Sequence, residues 1–154
     1  MPDVTFRLAL IIKEMKNLVM EAIDIETAFL EGDMDTELYM KIPEGMKHFD
    51  EIADDDCLQL IKCIYGSVLA ARHFWKKFVR CLEEFGFKQS PVDPCALIRQ
   101  DKNGLVILCS YVDDVLMIGD QVAIDITKKD MDTVFTTKKS VDVTEMLSMN
   151  GVVR

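Results

Sequence analysis

Residues 95–119 leave this chain few ways to fold. Two apolar runs, residues 95–100 and 105–112, flank the tetrapeptide DKNG. Asn-Gly readily adopts the positive backbone angles of a tight hairpin, so Asn103-Gly104 predicts two antiparallel strands joined there. The second run leads into YVDDVLMIG, in which two short apolar stretches hinge on Asp113 and Asp114. Consecutive hairpins with apolar faces cannot stand alone in water and need a second layer to cover them.

That layer is present as amphipathic helices. Over residues 6–19, Leu8, Ile11, Ile12, Met15, Leu18 and Val19 recur at helical spacing. A clearer helix is predicted over residues 68–85, with Phe74, Phe78, Leu82 and Phe85 on one face and Lys76, Lys77 and Arg80 elsewhere. Gly86 ends it. A third helix is expected over residues 122–135, before a weakly patterned tail. Residues 20–25 alternate as a short strand with Asp24 at its end, and ETAFLEGD reads as one helical turn stopped by Gly32. Strands are also expected over 38–42, where Pro43 breaks the pattern, and over 58–64. The sum is one domain over residues 1–154, an α+β fold whose mostly antiparallel sheet is packed by helices on one face.

Charge and cysteine usage narrow the function classes. Eighteen basic against twenty-seven acidic side chains leave a net charge of −9. A protein that grips a phosphate backbone ordinarily presents a basic face, and this composition offers none. The five cysteines (Cys57, Cys63, Cys81, Cys95 and Cys109) include no C-x-x-C pair. An odd set without such a pair suggests reduced thiols in an intracellular protein, cytoplasmic or nuclear, with Cys81 and Cys109 as small core residues. No apolar run reaches the ~20 residues of a membrane helix, so no membrane partner is expected.

The carboxylates are the chemically informative residues. Adjacent Asp113 and Asp114 between β-forming runs disfavour the strand and repel each other. Two readings stand on local pattern. Asp tolerates turn geometry, so the pair can be simple turn chemistry. Alternatively, hard oxygen ligands suit Mg²⁺, and two such ions can stabilise the attacking and leaving oxygens of a phosphoryl displacement. Spacing alone cannot bring Asp24, eighty-nine positions before Asp113, to the same place.

Three blocks bear on that choice. DIETAFLEGDMDTELYMKIPEGM resembles the D-V-x-T-A-F-L-x-G-x-L-x-E-x-I-Y-M-x-x-P-E-G-F block of copia-type retrotransposon reverse transcriptases. FGFKQSPVDPCALI is similar to their L-G-F-x-x-S-x-x-D-x-C-L-F/Y, and LVILCSYVDDVLMIG to their L-x-L-x-x-Y-V-D-D-x-L-x-x-G. The blocks come in family order and spacing and cover most of residues 5–135. The resemblance implies a polymerase-palm-like sheet with Asp24, Asp113 and Asp114 as catalytic carboxylates binding Mg²⁺ or Mn²⁺. It further implies that Phe29 stands where a bulky residue excludes the ribose 2′-hydroxyl, and that Tyr111 supports the primer end. On the residues alone, Phe29 reads as a core aromatic on a helical turn and Tyr111 equally as a strand aromatic.

One segment departs from the family. Where members carry Y-G-L-K-Q-A-P-R, this chain reads YGSVLAAR; Tyr65, Gly66, Ala70 and Arg72 match, but Val68 and Leu69 replace Lys and Gln. Arg72 is thereby assigned to the nucleotide site. Leu69 cannot hydrogen-bond as the Gln would beside the incoming nucleotide and template. The resemblance also leads us to expect a fingers region before residue 5 and thumb and ribonuclease H regions after the tail. The chain is accordingly read as a palm fragment, with template-primer and deoxynucleotide as partners of the full-length context. On its own it would bind nucleic acid weakly, and uncovered apolar palm surface would allow self-association. The alternative is a catalytically dead retroelement remnant serving as a small acidic α+β interaction module.

Other features carry less. Asp33-Met-Asp35 and Asp130-Met-Asp132 read as solvated charges, and the acidic run at 50–56 as a surface loop. His48 and His73 lack a convincing acid–base partner, and His73 is expected on a helix face.

Overall fold

A computed structural model describes residues 3–48, 56–64, 67, 69–111 and 114–139. The 50–56 acidic run, apart from Asp56, lies outside the described residues, as do Tyr65, Gly66, Val68 and Asp113. Among the described residues eight strands and four α-helices follow one another as α1 (Asp3–Lys16), β1 (Val19–Ile25), α2 (Ala28–Glu31), β2 (Asp33–Lys41), β3 (Cys57–Lys62), α3 (Ala70–Glu84), β4 (Lys88–Gln89), β5 (Ala96–Asp101), β6 (Gly104–Tyr111), β7 (Asp114–Gly119), α4 (Gln121–Asp132) and β8 (Thr137–Lys139), with a 3-10 turn at Glu44–His48 after β2. Six strands form one sheet in the order β4-β5-β6-β7-β1-β8, and β2 and β3 form a separate ribbon. Every pairing is antiparallel. The fold is the expected α+β class.

Period-two alternation sorts the sheet residues onto two faces. Ile23, Ile25, Val106, Leu108, Val115 and Met117 point to one side, where Phe74, Phe78 and Leu82 of α3 and Ala123, Ile124 and Met131 of α4 cover them. Ala22, Ile107, Cys109, Leu116 and Ile118 point to the other side and meet Phe6 and Ala9 of α1. Helices α3 and α4 therefore share one face, while α1 lies on the other, a placement that its periodicity did not disclose. Cys81 and Cys109 are buried, as read from the sequence. No helix among the described residues is long and apolar enough to cross a membrane.

The α3 face is aromatic. Phe74 and Phe78 have ring centroids 5.6 Å apart, and Phe135, just after α4, meets Phe74 edge-on at 6.2 Å. Such tilted and edge-on pairs add about 0.5–1.5 kcal/mol each beyond area burial. Gly86 stops α3 with φ of 86°, a left-handed angle that glycine adopts without steric cost. Its N–H donates to Glu83 O (3.0 Å), and the Phe87 N–H donates to Leu82 O (2.9 Å), which together make a Schellman cap.

Behind the sheet, one buried cation ties three elements together. Arg99 on β5 is 7% exposed. Its guanidinium donates to Phe85 O (3.1 Å), Asp130 Oδ2 (3.0 Å), Ala123 O (3.3 Å) and Thr127 Oγ1 (2.8 Å). It also lies 4.8 Å from the centre of the Phe87 ring. Asp130, read from the sequence as a solvated charge, is half-buried as this arginine's partner. The reason is tertiary: α4 carries it back over β5. His73 lies on α3 as expected and is buried there. Arg99→Met should destabilise the fold by about 2–4 kcal/mol, because main-chain acceptors lose a buried donor. Thermal denaturation would register this as a melting point lower by roughly 2–4 °C per kcal/mol.

A second tie is pH-dependent. Lys128 donates to Glu21 Oε2 (2.7 Å) and lies 3.1 Å from Asp125 Oδ1. Hydrogen bonds from Lys128 and then Gln121 hold the Glu21 carboxyl below its ordinary range, against the opposing effect of burial. A carboxyl depressed by folding stabilises the native state above its unfolded pKa of about 4.3, and the benefit is lost as pH falls through the folded value. Lys128→Met should therefore cost under about 1 kcal/mol at neutral pH. The gap between the variant and wild type should close as pH is lowered below about 4, read by denaturant unfolding.

Candidate active site

The site begins with register. Along β1 and β7 the paired residues are Val19 with Gly119, Ala22 with Leu116, and finally Asp24 with Asp114. Directly opposed residues of an antiparallel pair share a face, with Cβ atoms about 4.5–5.5 Å apart. Two carboxylates ninety positions apart in sequence thus stand side by side. Their face follows from alternation. Ala22 and Leu116, two residues inward on each strand, belong to the α1 cluster. Asp24 and Asp114 therefore sit on the α1 side, at the sheet end beyond that cluster, and both are half-buried.

The same row continues in both directions. Tyr111 of β6 pairs with Asp114 across the β6–β7 hairpin. On the other side, Lys138 of β8 pairs with Asp24. Tyr111, Asp114, Asp24 and Lys138 thus occupy one register row across four strands. Lys138 is ion-paired with Glu26. Its ammonium is held above its ordinary range first by the hydrogen bond to Glu26, then by the charges of Glu26 and Asp24. β8 was hidden in the weakly patterned tail, so sequence reasoning missed Lys138. Its only local signal was the Thr-Lys-Lys run after Phe135, too short to mark a strand.

Phe29 lies on α2, directly after the turn that leaves β1, and is half-buried. Thr27 opens that turn at φ 52° and ψ 33°, a left-handed conformation unusual for a β-branched residue. Main-chain bonds hold it: Glu26 N–H donates to Thr136 O (2.9 Å), and Leu30 N–H to Thr27 O (2.7 Å). After α2, Gly32 passes so close to α3 that an added Cβ would lie 2.9 Å from both His73 Cβ and Phe74 N. A side chain there would push α2 off α3. Arg72 is exposed on the first turn of α3, the helix packed on the opposite face, and is not part of the carboxylate row.

The donor set suits a hard divalent cation. Two carboxylates about 5 Å apart repel by roughly 3 kcal/mol at an effective dielectric near 20, and oxygen ligands are what Mg²⁺ and Mn²⁺ select. Among the described residues no group of three or more His, Cys, Asp or Glu side chains lies close enough to hold a metal ion. Asp24 and Asp114 are two of the three expected candidate ligands, and the third, Asp113, lies outside the described residues.

With this geometry in hand, comparison with known proteins defines the class. Residues 3–153 match the family model described as reverse transcriptase (RNA-dependent DNA polymerase). The chain is 33% identical over 88% of its length to the retrovirus-related Pol polyprotein from transposon TNT 1-94 of Nicotiana tabacum, covering 10% of that polyprotein. It is 29% identical over 84% of its length to the corresponding polyprotein of transposon RE2 of Arabidopsis thaliana, covering 9% of it. A third relative, from transposon RE1 of the same plant, is 30% identical over 63% of this chain and 6% of its own length. The chain belongs to the reverse transcriptase family of copia-type retrotransposon Pol polyproteins, and spans about a tenth of the relatives it matches most extensively.

The strained turn makes a prediction. Thr27 is exposed, so replacing it removes little packing. Asn is markedly better tolerated at left-handed angles. Thr27→Asn should raise stability by about 0.5–1 kcal/mol, measured as an upward shift of the denaturant midpoint at unchanged slope.

Proposed function

We propose that this chain forms the palm of an RNA-directed DNA polymerase, extending a primer by two-metal nucleotidyl transfer at Asp24, Asp113 and Asp114. The observation that carries the reading is the cross-strand register of Asp24 with Asp114, which gathers like charges at a sheet end where stability alone would disfavour them. Asp113, bonded to Asp114 in the chain, completes the set. Magnesium or manganese, when bound, supplies neutralisation of the triphosphate and of the attacking and leaving oxygens. The protein's part is positioning. Asp24 and Asp114 present oxygens from one rigid face, so little reorganisation is needed when charge develops. Phe29, on the turn after β1, abuts the sugar of the incoming deoxynucleotide, and Tyr111 backs the primer end; Arg72, on the far face of the sheet, takes no part in this reading.

Template-primer and deoxynucleotide are the partners in this reading, within an intracellular setting. A net charge of −9 gives the chain little counterion-release affinity for nucleic acid. The isolated chain is therefore weak or inactive, and its grip on template comes from elsewhere in a longer polyprotein. The segment YGSVLAAR favours a second reading. With Val68 and Leu69 where a polar pair is expected, the chain would be a catalytically dead remnant retained as an acidic interaction module.

Two measurements separate these readings. Millimolar Mn²⁺ should raise the melting temperature of wild type by several degrees and leave an Asp24→Asn/Asp113→Asn double variant unmoved. Equal shifts in both would count against the carboxylate site. In primer extension with Mg²⁺ or Mn²⁺, the chain alone should give little product. Robust synthesis abolished by Asp113→Asn would refute the proposed dependence on further segments.

A further inference from the structure

The loop between β4 and β5 holds a buried acid that the proposed chemistry does not use. Asp93 is 2% exposed, and its Oδ2 has no hydrogen-bond partner among the described residues. Its other atoms are fully engaged. Oδ1 accepts the Cys95 N–H (2.9 Å), and the main-chain carbonyl accepts the Ala96 N–H (3.0 Å). The loop is closed by the Ser90 N–H donating to Ala96 O (2.8 Å). Ser90 Oγ adds only longer contacts, from the N–H groups of Val92 (3.3 Å) and Asp93 (3.4 Å). Asp93 therefore sets the backbone of Cys95.

Cys95 matters because of what it holds in turn. The β5–β6 ladder pairs Ala96 with Cys109 as its last partners. One step further, outside β5, the Ser110 N–H donates to Cys95 O (3.0 Å). Ser110 directly precedes Tyr111, which pairs with Asp114. A continuous path of hydrogen bonds and one peptide link thus runs from Asp93 Oδ1 to the row that contains Asp114 and Asp24.

A loop that only needed to turn could do so with an exposed Asp, Asn or Ser. Burying a carboxylate with one oxygen unpaired costs several kcal/mol unless the structure overrides it. The neighbouring Cys109 thiol feels the same acid: it is pushed up to about 11, chiefly by burial and then by the charges of Asp93 and Cys95.

We infer that Asp93 is a positioning residue for the carboxylate hairpin, fixing through Cys95 and Ser110 the strand end from which Tyr111 and Asp114 are presented. The inference rests on the reading of Asp24, Asp113 and Asp114 as a metal site. Geometry, rather than charge, carries the effect. Asn retains an acceptor at the Oδ1 position, whereas Glu keeps the charge but is a methylene too long for the two-residue turn.

The test uses the whole chain, amide hydrogen exchange resolved by residue, and the Mn²⁺-induced shift in melting temperature. Asp93→Ala and Asp93→Glu should each speed exchange at Cys95 and Ser110 about tenfold, roughly the effect of one hydrogen bond, while amides in α4 stay unchanged. Both should also reduce the Mn²⁺ shift. Asp93→Asn should behave as wild type in both readouts. The inference is overturned if Glu rescues as well as Asn, or if Ala is folded and leaves Ser110 exchange unaltered. Should Ala and Glu fail to fold, wild type still decides. Cys95 and Ser110 amides must then show matching protection, and a Cys95 amide exchanging a hundredfold faster would break the path. Equal Mn²⁺ shifts in wild type and Asp113→Asn would instead indict the metal site, leaving the exchange result to judge the coupling.

Discussion

The antiparallel ladder between β1 and β7 is the constraint on which the rest of the molecule depends. It joins an early strand to a late one, so the chain must close a long loop before the pairing gains anything. What holds the register is burial on both faces. Ile23 opposes Val115 toward α3 and α4, while Ala22 opposes Leu116 toward α1. Side chains alternate with a period of two, so a slip of one residue would turn Ile23 and Ile25 out of their cluster and drive Asp24 into it. Both clusters resist that slip together. The apolar core is thus what brings two repelling carboxylates into line.

Around that row, charges are arranged to be tolerated rather than neutralised. Lys138 stands beside Asp24 in the register but is bound to Glu26, so its proximity moderates the acidic end without removing the carboxylates from use. The sheet end also carries backbone strain. Thr27 adopts a left-handed angle directly after β1, in the turn that leads to Phe29. Both faces of the sheet are nonetheless packed, by the Phe74, Phe78 and Phe135 aromatics with α3 and α4 on one and by α1 on the other. Such local costs are in keeping with the proposed phosphoryl-transfer role, whose work is to position and neutralise charge.

Much of this was legible in the linear chain. Asn103-Gly104 and the flanking apolar runs gave the β5–β6 hairpin, and Phe74, Phe78 and Leu82 gave the buried face of α3, because both signals are local. The motif blocks around Asp24 and Asp113-Asp114 named the family and the candidate ligands. Boundaries were softer: α3 begins at Ala70, and β2 extends back to Asp33 with a register shift that no alternation pattern announced. β4 and β8 were missed, being two and three residues long and held by their neighbours rather than by propensity. Asp130 was misjudged because its partner, Arg99, lies thirty-one positions away.

What the sequence determined by itself was therefore the longer elements, the family, and which residue types could bind a divalent metal. Hydrophobic period and turn chemistry are encoded within a few residues, so they can be read without coordinates. Only the tertiary structure decided that Asp24 stands opposite Asp114, that Lys138 flanks it, and on which face α1 lies. Those facts depend on pairing between distant strands and on burial of both sheet faces at once, and neither is written in any local stretch of the chain.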